Sequence, residues 1–152
     1  MRLRPSCRYD SLKLVPPRAE ILQMSTRPSP PEREEFTDLG GFHASPVPMW
    51  IFDQSSLAIL EVNGAAERPY GYLRSEFLKM TILDIRPLEE IPKVLRRTLR
   101  AQTVRPNGEF WIHRRKNGNT FQATIMSREI TFQGRNAELV SAQEVRAASA
   151  RN

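Results

Sequence analysis

The pattern of apolar and polar residues predicts two groups of β-strands with helices between them. An apolar, aromatic run at 46–53 and a second apolar run at 58–62 are typical of two strands paired as a hairpin. Alternating apolar and polar residues predict three more strands at 108–115, 120–130 and 137–145. Asn117-Gly118 and Gln133-Gly134 lie between these strands and are typical of tight turns.

Residues 64–102 break the strand pattern and predict helices. A short helix is expected at 64–68, where Pro69 limits its extent, and another at 74–80. The longest helix is expected at 88–102. Its apolar face would consist of Ile91, Val94, Leu95 and Leu99, and its basic face of Lys93, Arg96, Arg97 and Arg100. Two strands, a group of helices and three strands predict an α+β domain, with one five-stranded antiparallel sheet and helices packed on one face.

Proline divides the chain into a tail and a folded body. Half of the 12 prolines lie before position 40, which predicts a disordered, Pro-rich tail at 1–40. The folded domain is expected at 41–146, after a flexible joint at Gly40-Gly41, and a second disordered tail at 147–152. Met24-Ser25-Thr26 is typical of a translation start, so initiation at Met24 instead of Met1 is an alternative.

Charge and cysteine content narrow the functional classes. The net charge of +6 is common on ordinary protein surfaces, and no aromatic residues alternate with the cations of the long helix. Binding to nucleic acid is therefore not expected. The single cysteine, Cys7, allows no intrachain disulfide and favours a reducing compartment. No apolar run approaches the ~20 residues of a membrane helix, so no membrane contact and a cytoplasmic location are expected.

Several short sequence motifs in the predicted folded domain resemble those of a known family. They lie at 42–50, 61–66, 70–72, 76–81, 84–87, 113–118 and 132–135, and include Asn63-Gly64, Asp84-Ile85-Arg86-Pro87 and Lys116-Asn117-Gly118. Their joint order and spacing resemble the PAS family, in particular the PAS domains of bacterial sensor histidine kinases and diguanylate cyclases. The resemblance implies the PAS (profilin-like) fold and a role in signal transduction, including two-component systems.

The resemblance implies a sensory module that regulates a partner by protein–protein interaction, after binding a small ligand or without one. The partner would be a signalling protein or a second copy of the chain. In sensor kinases and cyclases of the family, an Asp-x-Thr word leads from the last strand into a coiled coil. Glu144-Val145-Arg146 stands at that place here. The alternatives are therefore a ligand-free dimerisation module or a truncated remnant of a sensor kinase or diguanylate cyclase.

The candidate chemistry is sparse. The body has no cysteine, which argues against flavin-adduct and other covalent chromophore chemistry. The long helix has no histidine, which argues against haem. His113 is interpreted as a partly exposed strand histidine, and His43 lies at the entrance to the first strand. No metal-ligand spacing, phosphate loop or nucleophile motif is present, so no metal, cofactor, catalytic residue or enzymatic activity is predicted.

A non-covalent ligand pocket between the sheet and the helices is the remaining candidate site. Alternation places Leu60 and Val62 on the inner face together with three residues of the fourth strand. The predicted lining is Leu60, Val62, Phe77, Ile82, Ile85, Leu95, Phe121, Ala123 and Ile125. The alternative is that these side chains simply fill the core, and the roles of Trp50 and Trp111 are left open.

Four residues are assigned structural roles. Asp53 is expected to bind backbone N–H groups in the first hairpin turn, and Asn63 to cap the following helix. Gly71 would permit a tight connection between two short helices, and Gly118 would supply a positive φ in a hairpin turn.

Overall fold

The computed structural model of the chain describes residues 32–99 and 108–145. The predicted tail up to residue 31, the alternative start at Met24 and the predicted tail at 147–152 lie outside the described residues. The helices are α1 (Leu39–Ala44), α2 (Gly64–Tyr70), α3 (Arg74–Phe77) and α4 (Ile91–Leu99), with a 3₁₀ turn at Leu88–Glu90 before α4. The strands are β1 (Met49–Asp53), β2 (Ile59–Val62), β3 (Glu109–Arg114), β4 (Thr120–Phe132) and β5 (Arg135–Glu144).

The five strands form one antiparallel sheet in the order β2-β1-β5-β4-β3, which confirms the predicted fold class. The β4–β5 hairpin is longer than expected, because β4 continues to Phe132 and β5 begins at Arg135. Gln133 and Gly134 alone connect the two strands, with φ of 49° and 74°. Two consecutive positive φ angles match the type I′ turn, whose twist suits a tight hairpin.

Side chains are buried on both faces of the sheet. The inner face packs against α2, α3 and α4 through a cluster that includes Trp50, Val62, Phe77 and Trp111. Part of the outer face packs against α1 and the segment before it through a second cluster. That cluster consists of Phe42, Ile51, Ile130, Phe132, Ala137 and Leu139, with Phe36, Leu39, Met49 and Leu60 against it. β1 contributes to both clusters, since consecutive strand residues point to opposite faces.

The folded unit begins earlier than the sequence predicted. Glu35 forms a parallel bridge with Thr131, where the Phe36 N–H donates to the Thr131 carbonyl (2.8 Å) and the Thr131 N–H donates to the Glu34 carbonyl (2.9 Å). The last part of the predicted tail at 1–40 therefore contains residues that pair with the sheet. The predicted joint at Gly40-Gly41 lies inside α1, and the Asp38 carboxylate caps that helix by accepting from the Gly41 N–H (2.9 Å).

The long helix differs from its prediction in extent and in orientation. A 3₁₀ turn replaces its first residues, and residues 100–102 lie outside the described part of the chain. Val94 is buried, but Leu95 is 39% exposed and Leu99 is 84% exposed. The sheet-facing side of α4 instead carries Lys93 and Arg97, because their cationic groups lie over the Trp111 ring.

Three of the four structural assignments are confirmed. The Asp53 carboxylate accepts from the backbone N–H groups of Ser55 (2.7 Å) and Ser56 (3.1 Å). Gly71 ends α2 in the left-handed conformation, with φ of 79°, immediately before α3. Gly118 has φ of 89° in the β3–β4 turn. Pro69 lies within the last turn of α2, and the helix ends after Tyr70.

The assignment of Asn63 as a helix cap is wrong. Its side chain makes no capping hydrogen bond and is fully buried. Asn63 Oδ1 accepts from the Met49 N–H (2.9 Å), and Nδ2 donates to the carbonyls of Val47 (2.8 Å) and Phe42 (3.1 Å). The amide therefore connects the end of β2 to the chain that leads from α1 into β1, a set of acceptors that only the tertiary structure brings together.

Replacing Asn63 with Ala should lower the free energy of unfolding by about 3 kcal/mol, because one buried N–H and two carbonyls lose their partner. Urea denaturation of the full chain measures this change. Asn119→Ala is the matched control, since Asn119 is exposed in the β3–β4 turn, and it should change stability by less than about 0.5 kcal/mol. Equal effects of the two substitutions would contradict the assignment.

Candidate functional site

The structure brings together seven of the nine residues predicted to line a pocket. They lie in the inner cluster: Val62, Phe77, Ile82, Ile85, Ala123 and Ile125 are buried in it, and Phe121 packs against it. Leu95 is partly exposed on α4, and Leu60 belongs to the outer cluster. The inner-face placement of the three β4 residues is therefore confirmed, and that of Leu60 is wrong.

A β-bulge explains the position of Leu60. Ile51 pairs with Glu61, but the next residue of β1, Phe52, pairs with Ile59, so the register shifts at this point. The extra residue in β2 breaks the strict alternation of side chains. Ile59 and Val62 consequently face the inner cluster while Leu60 faces the outer one. Counting alternate residues back from Val62 therefore gives the wrong face for Leu60.

One cavity lined by described residues lies in the interior, and it is small. A cavity of about 30 Å³ lies between α4 and the sheet, lined by Trp50, Phe52, Ile82, Arg86, Val94, Arg97, Thr98, Trp111, Ile125, Glu138 and Val140. Pockets for drug-sized ligands occupy roughly 300–1,000 Å³. The volume here accommodates about two or three water-sized groups. Ile82 and Ile125 are the members of the predicted lining that contact this cavity. The other five predicted residues of the inner cluster pack elsewhere in it.

Arg86 is the functional candidate that the sequence reasoning missed. Its side chain is 6% exposed, and its guanidinium carbon lies 5.0 Å from the centroid of the Trp111 ring. No hydrogen-bond acceptor contacts Nε or Nη1 in the part of the chain that the structure describes. Burial, with a contribution from the Arg97 charge, lowers the pKa of Arg86 to about 10. The guanidinium therefore still carries its charge at neutral pH.

The neighbouring cations differ from Arg86 in having carboxylate partners. Arg97 Nη1 donates to Glu109 Oε2 (2.7 Å), and Lys93 Nζ lies 3.9 Å from a Glu90 oxygen and 4.0 Å from a Glu109 oxygen. Both cations also lie over the Trp111 ring, at 5.3 Å for Arg97 and 3.9 Å for Lys93. Trp111 is thus a buried aromatic ring with three cations beside it.

His113 is fully buried, so its interpretation as a partly exposed strand residue is wrong. The Tyr70 hydroxyl lies 2.6 Å from His113 Nδ1, and the rings of Trp50 and Phe121 lie 5.9 Å and 5.8 Å from the imidazole. Burial, with a smaller contribution from Arg86, lowers the pKa of His113 well below its usual value of 6.5. Burial also raises the pKa of Tyr70. The neutral imidazole and the Tyr70 hydroxyl therefore share one hydrogen bond through Nδ1, and the imidazole tautomer sets its direction.

The uncovered part of the outer sheet face is apolar. Phe110 and Ile112 of β3 and Met126 of β4 point away from the helices, with Phe110 54% and Met126 51% exposed. Beside them lies an open groove of about 310 Å³, lined by Met49, Met126, Ser127, Arg128, Leu139 and Ser141. We call the area formed by Phe110, Ile112 and Met126 the outer patch. Hydrophobic periodicity alone cannot identify the outer patch. From the residue types of β3, Phe110 and Ile112 are as suitable for the inner face as Trp111 and His113.

Within 32–99 and 108–145, no group of three His, Cys, Asp or Glu side chains could hold a metal ion. No helix in the same part of the chain is long and apolar enough to cross a bilayer.

Comparisons with known proteins agree on the fold. The family model described as PAS fold matches residues 40–145. The PAS domain of an HTR-like protein from Haloarcula marismortui has 20% identity and a TM-score of 0.59, covering 70% of this chain and 87% of that one. The PAS domain of a Desulfitobacterium hafniense protein has 16% identity and a TM-score of 0.58, covering 68% and 96%.

A third solved structure is a domain of the sensory box sensor histidine kinase/response regulator from Geobacter sulfurreducens. It has 18% identity and a TM-score of 0.54, and the similarity covers 68% of this chain and 89% of that one. No curated protein gives a significant sequence match.

The buried His113 should make stability depend on pH. In the unfolded chain His113 binds a proton near pH 6.5, whereas in the folded chain it stays neutral. Its contribution to the free energy of unfolding is therefore fully present above pH 6.5 and is lost as the pH falls below that value. Relative to His113→Asn, the wild type should lose up to about 1.4 kcal/mol per pH unit between roughly pH 6.5 and 5. Urea denaturation across this range measures the difference, and parallel pH profiles would contradict the assignment.

Proposed function

Because the chain belongs to the PAS family, whose members are typical sensory modules of signalling proteins, we propose that it transmits signals by protein–protein contact through its outer patch. No reaction is part of the proposal, since PAS domains are generally non-catalytic. The single cysteine favours a reducing compartment, and the cytoplasm is the expected location.

The exposure of the outer patch carries the proposal. Full burial of a large apolar side chain stabilises a protein by roughly 1.5–3 kcal/mol relative to leaving it in water. Phe110 and Met126 leave about half of their surface in water. The cover formed by α1 and its preceding segment reaches Ile51, Ile130 and Leu139. A partner that covers the outer patch would bury these side chains, and the complex would gain the corresponding free energy.

The occupant proposed for the outer patch is a second copy of the chain. In a two-fold symmetric contact each surface meets itself, so like charges at its centre would repel. The residues paired beside the patch are uncharged: Gln122 opposite Ile112, Thr124 opposite Phe110, and Ser141 opposite Met126. Arg128, at the border of the groove, already has an ion-pair partner in Glu34 (3.3 Å). The residues paired directly with the patch therefore bring no charge to the centre of a self-associated contact.

The small volume of the cavity between α4 and the sheet favours contact over uptake of a large ligand at that place. A cavity of about 30 Å³ does not hold a flavin-sized or haem-sized molecule without rearrangement of the core. A separate signalling protein is the second candidate partner. The similarity to a sensor histidine kinase domain is what favours that class of partner.

Replacing Phe110 with Glu should weaken self-association at least about tenfold, because a charge would be buried in the centre of the contact. Sedimentation velocity over a concentration series measures the dissociation constant. Leu99→Glu is the matched control: Leu99 is even more exposed, but it lies on α4 and not on the outer patch, so self-association should persist.

Two results would overturn the proposed self-association. One is a wild-type chain that stays monomeric throughout the series. In that case a different signalling protein would be the partner for the outer patch. The other is equal weakening by Phe110→Glu and Leu99→Glu.

A further inference from the structure

The β3–β4 turn contains one of the three Asn-Gly pairs of this chain. The pairs are Asn63-Gly64, Asn107-Gly108 and Asn117-Gly118. The second pair begins outside the described residues, and the structure places the other two in very different surroundings. We propose that Asn117 is a site of spontaneous covalent modification, which converts it to aspartate and isoaspartate through a cyclic imide formed with Gly118. This site does not depend on self-association.

The reaction needs only the peptide and water. The Gly118 nitrogen loses its proton to solvent and attacks Cγ of Asn117. A bond between this nitrogen and Cγ forms, the bond between Cγ and Nδ2 breaks, and Nδ2 takes up a proton from solvent and leaves as ammonia. Water then opens the imide ring. Attack of water at Cγ gives aspartate, and attack at the backbone carbonyl carbon gives isoaspartate.

The turn leaves both reacting groups accessible. Asn117 and Gly118 are exposed, and Gly118 has open space where a side chain would stand. Asn117 Oδ1 accepts from the Asn119 N–H (3.0 Å), which stabilises the negative charge that develops on this oxygen during attack. The Gly118 N–H donates to the Arg115 carbonyl (3.0 Å), so this one bond must open first. Hydrogen bonds in exposed turns open at low cost.

Asn63 is protected although it also precedes a glycine. Gly64 has the same open space as Gly118, and the Asn63 carboxamide oxygen likewise accepts a backbone N–H. The difference lies in burial and in the leaving group. Asn63 is fully buried, and its Nδ2 donates to the carbonyls of Phe42 and Val47, whereas Asn117 Nδ2 has no partner among the described residues. Reaction at Asn63 therefore requires a much rarer local opening.

Asn119 provides a second comparison within the same turn. It is as exposed as Asn117, but Thr120 follows it in place of a glycine. The branched Cβ of threonine crowds the neighbouring backbone and hinders attack by its nitrogen. Exposure alone therefore does not produce the reaction, which requires both an accessible carboxamide and the following glycine.

Conversion of Asn117 would change a junction between the turn and the helices. Lys116 donates its backbone N–H to the Tyr70 carbonyl (2.9 Å) and its ammonium to Glu76 (2.6 Å). A new carboxylate at position 117 competes with Glu76 for this ammonium. Isoaspartate also adds one carbon atom to the backbone of the turn. The modification is thus a slow, irreversible change at the contact of the turn with α2 and α3.

The full-length protein is incubated in warm, mildly alkaline buffer, once folded and once in concentrated guanidinium chloride. Peptide mass spectrometry follows the mass gain caused by replacement of the amide nitrogen, and electron-based fragmentation separates isoaspartate from aspartate. In the folded protein Asn117 should convert at least about tenfold faster than Asn63 and Asn119. In guanidinium chloride Asn63 and Asn117 should convert at similar rates, because both precede glycine.

Asn117→Ser should abolish the rapid mass gain of the turn peptide. Asn119→Ser is the matched control, since it changes an exposed residue of the same turn, and it should leave the mass gain unchanged. Equal conversion of Asn117 and Asn63 in the folded protein overturns the proposal. A difference between them that persists in guanidinium chloride also overturns it, because the fold would then not be its cause. These measurements concern the turn alone, so the proposed self-association is tested separately.

Discussion

Each strand of this sheet distributes consecutive side chains between two opposite faces, and this constraint decides where the interior cavity and the outer patch lie. In β3, Trp111 and His113 face the helices while Phe110 and Ile112 face away. An amphipathic strand ordinarily places its apolar residues inside and its polar residues outside. In β3 the alternation instead places Trp111 and His113 in the interior and leaves the apolar side chains of Phe110 and Ile112 uncovered on the outer face. The interior cavity and the outer patch therefore share a single strand, back to back.

The fold was predictable because it rests on periodicity and turn chemistry, which are local. The succession of strands and helices along the chain and the inward residues of β4 follow from alternation and from Gly and Asn at turns. Asp53, Gly71 and Gly118 have the expected roles because each acts within a few residues of its own position. Local rules decide such positions before any tertiary contact forms.

The errors share a different cause, because each depends on a contact between residues that are distant in the sequence. Leu60 changes face through a bulge opposite β1, and Asn63 bonds to chain segments that precede β1. Leu95 is partly exposed because cations of α4 lie over an indole of β3. Arg86 and His113 are buried although their residue types are usually solvated. From residue type alone, Arg86 and His113 look the same as ordinary surface residues.

The two-residue turn at Gln133-Gly134 also affects how the entropic cost of loop closure is distributed over the sheet. β4 and β5 are joined almost without a loop, whereas β1 pairs with β5 across roughly 80 residues of intervening chain. The logarithmic dependence of loop closure on length makes the second junction costlier by about 3 kcal/mol. It is also the only junction of the sheet, within the described residues, where β1 and β2 meet the other three strands. The largest closure cost in the sheet therefore falls on the β1–β5 junction, whereas the β4–β5 hairpin forms at little entropic cost.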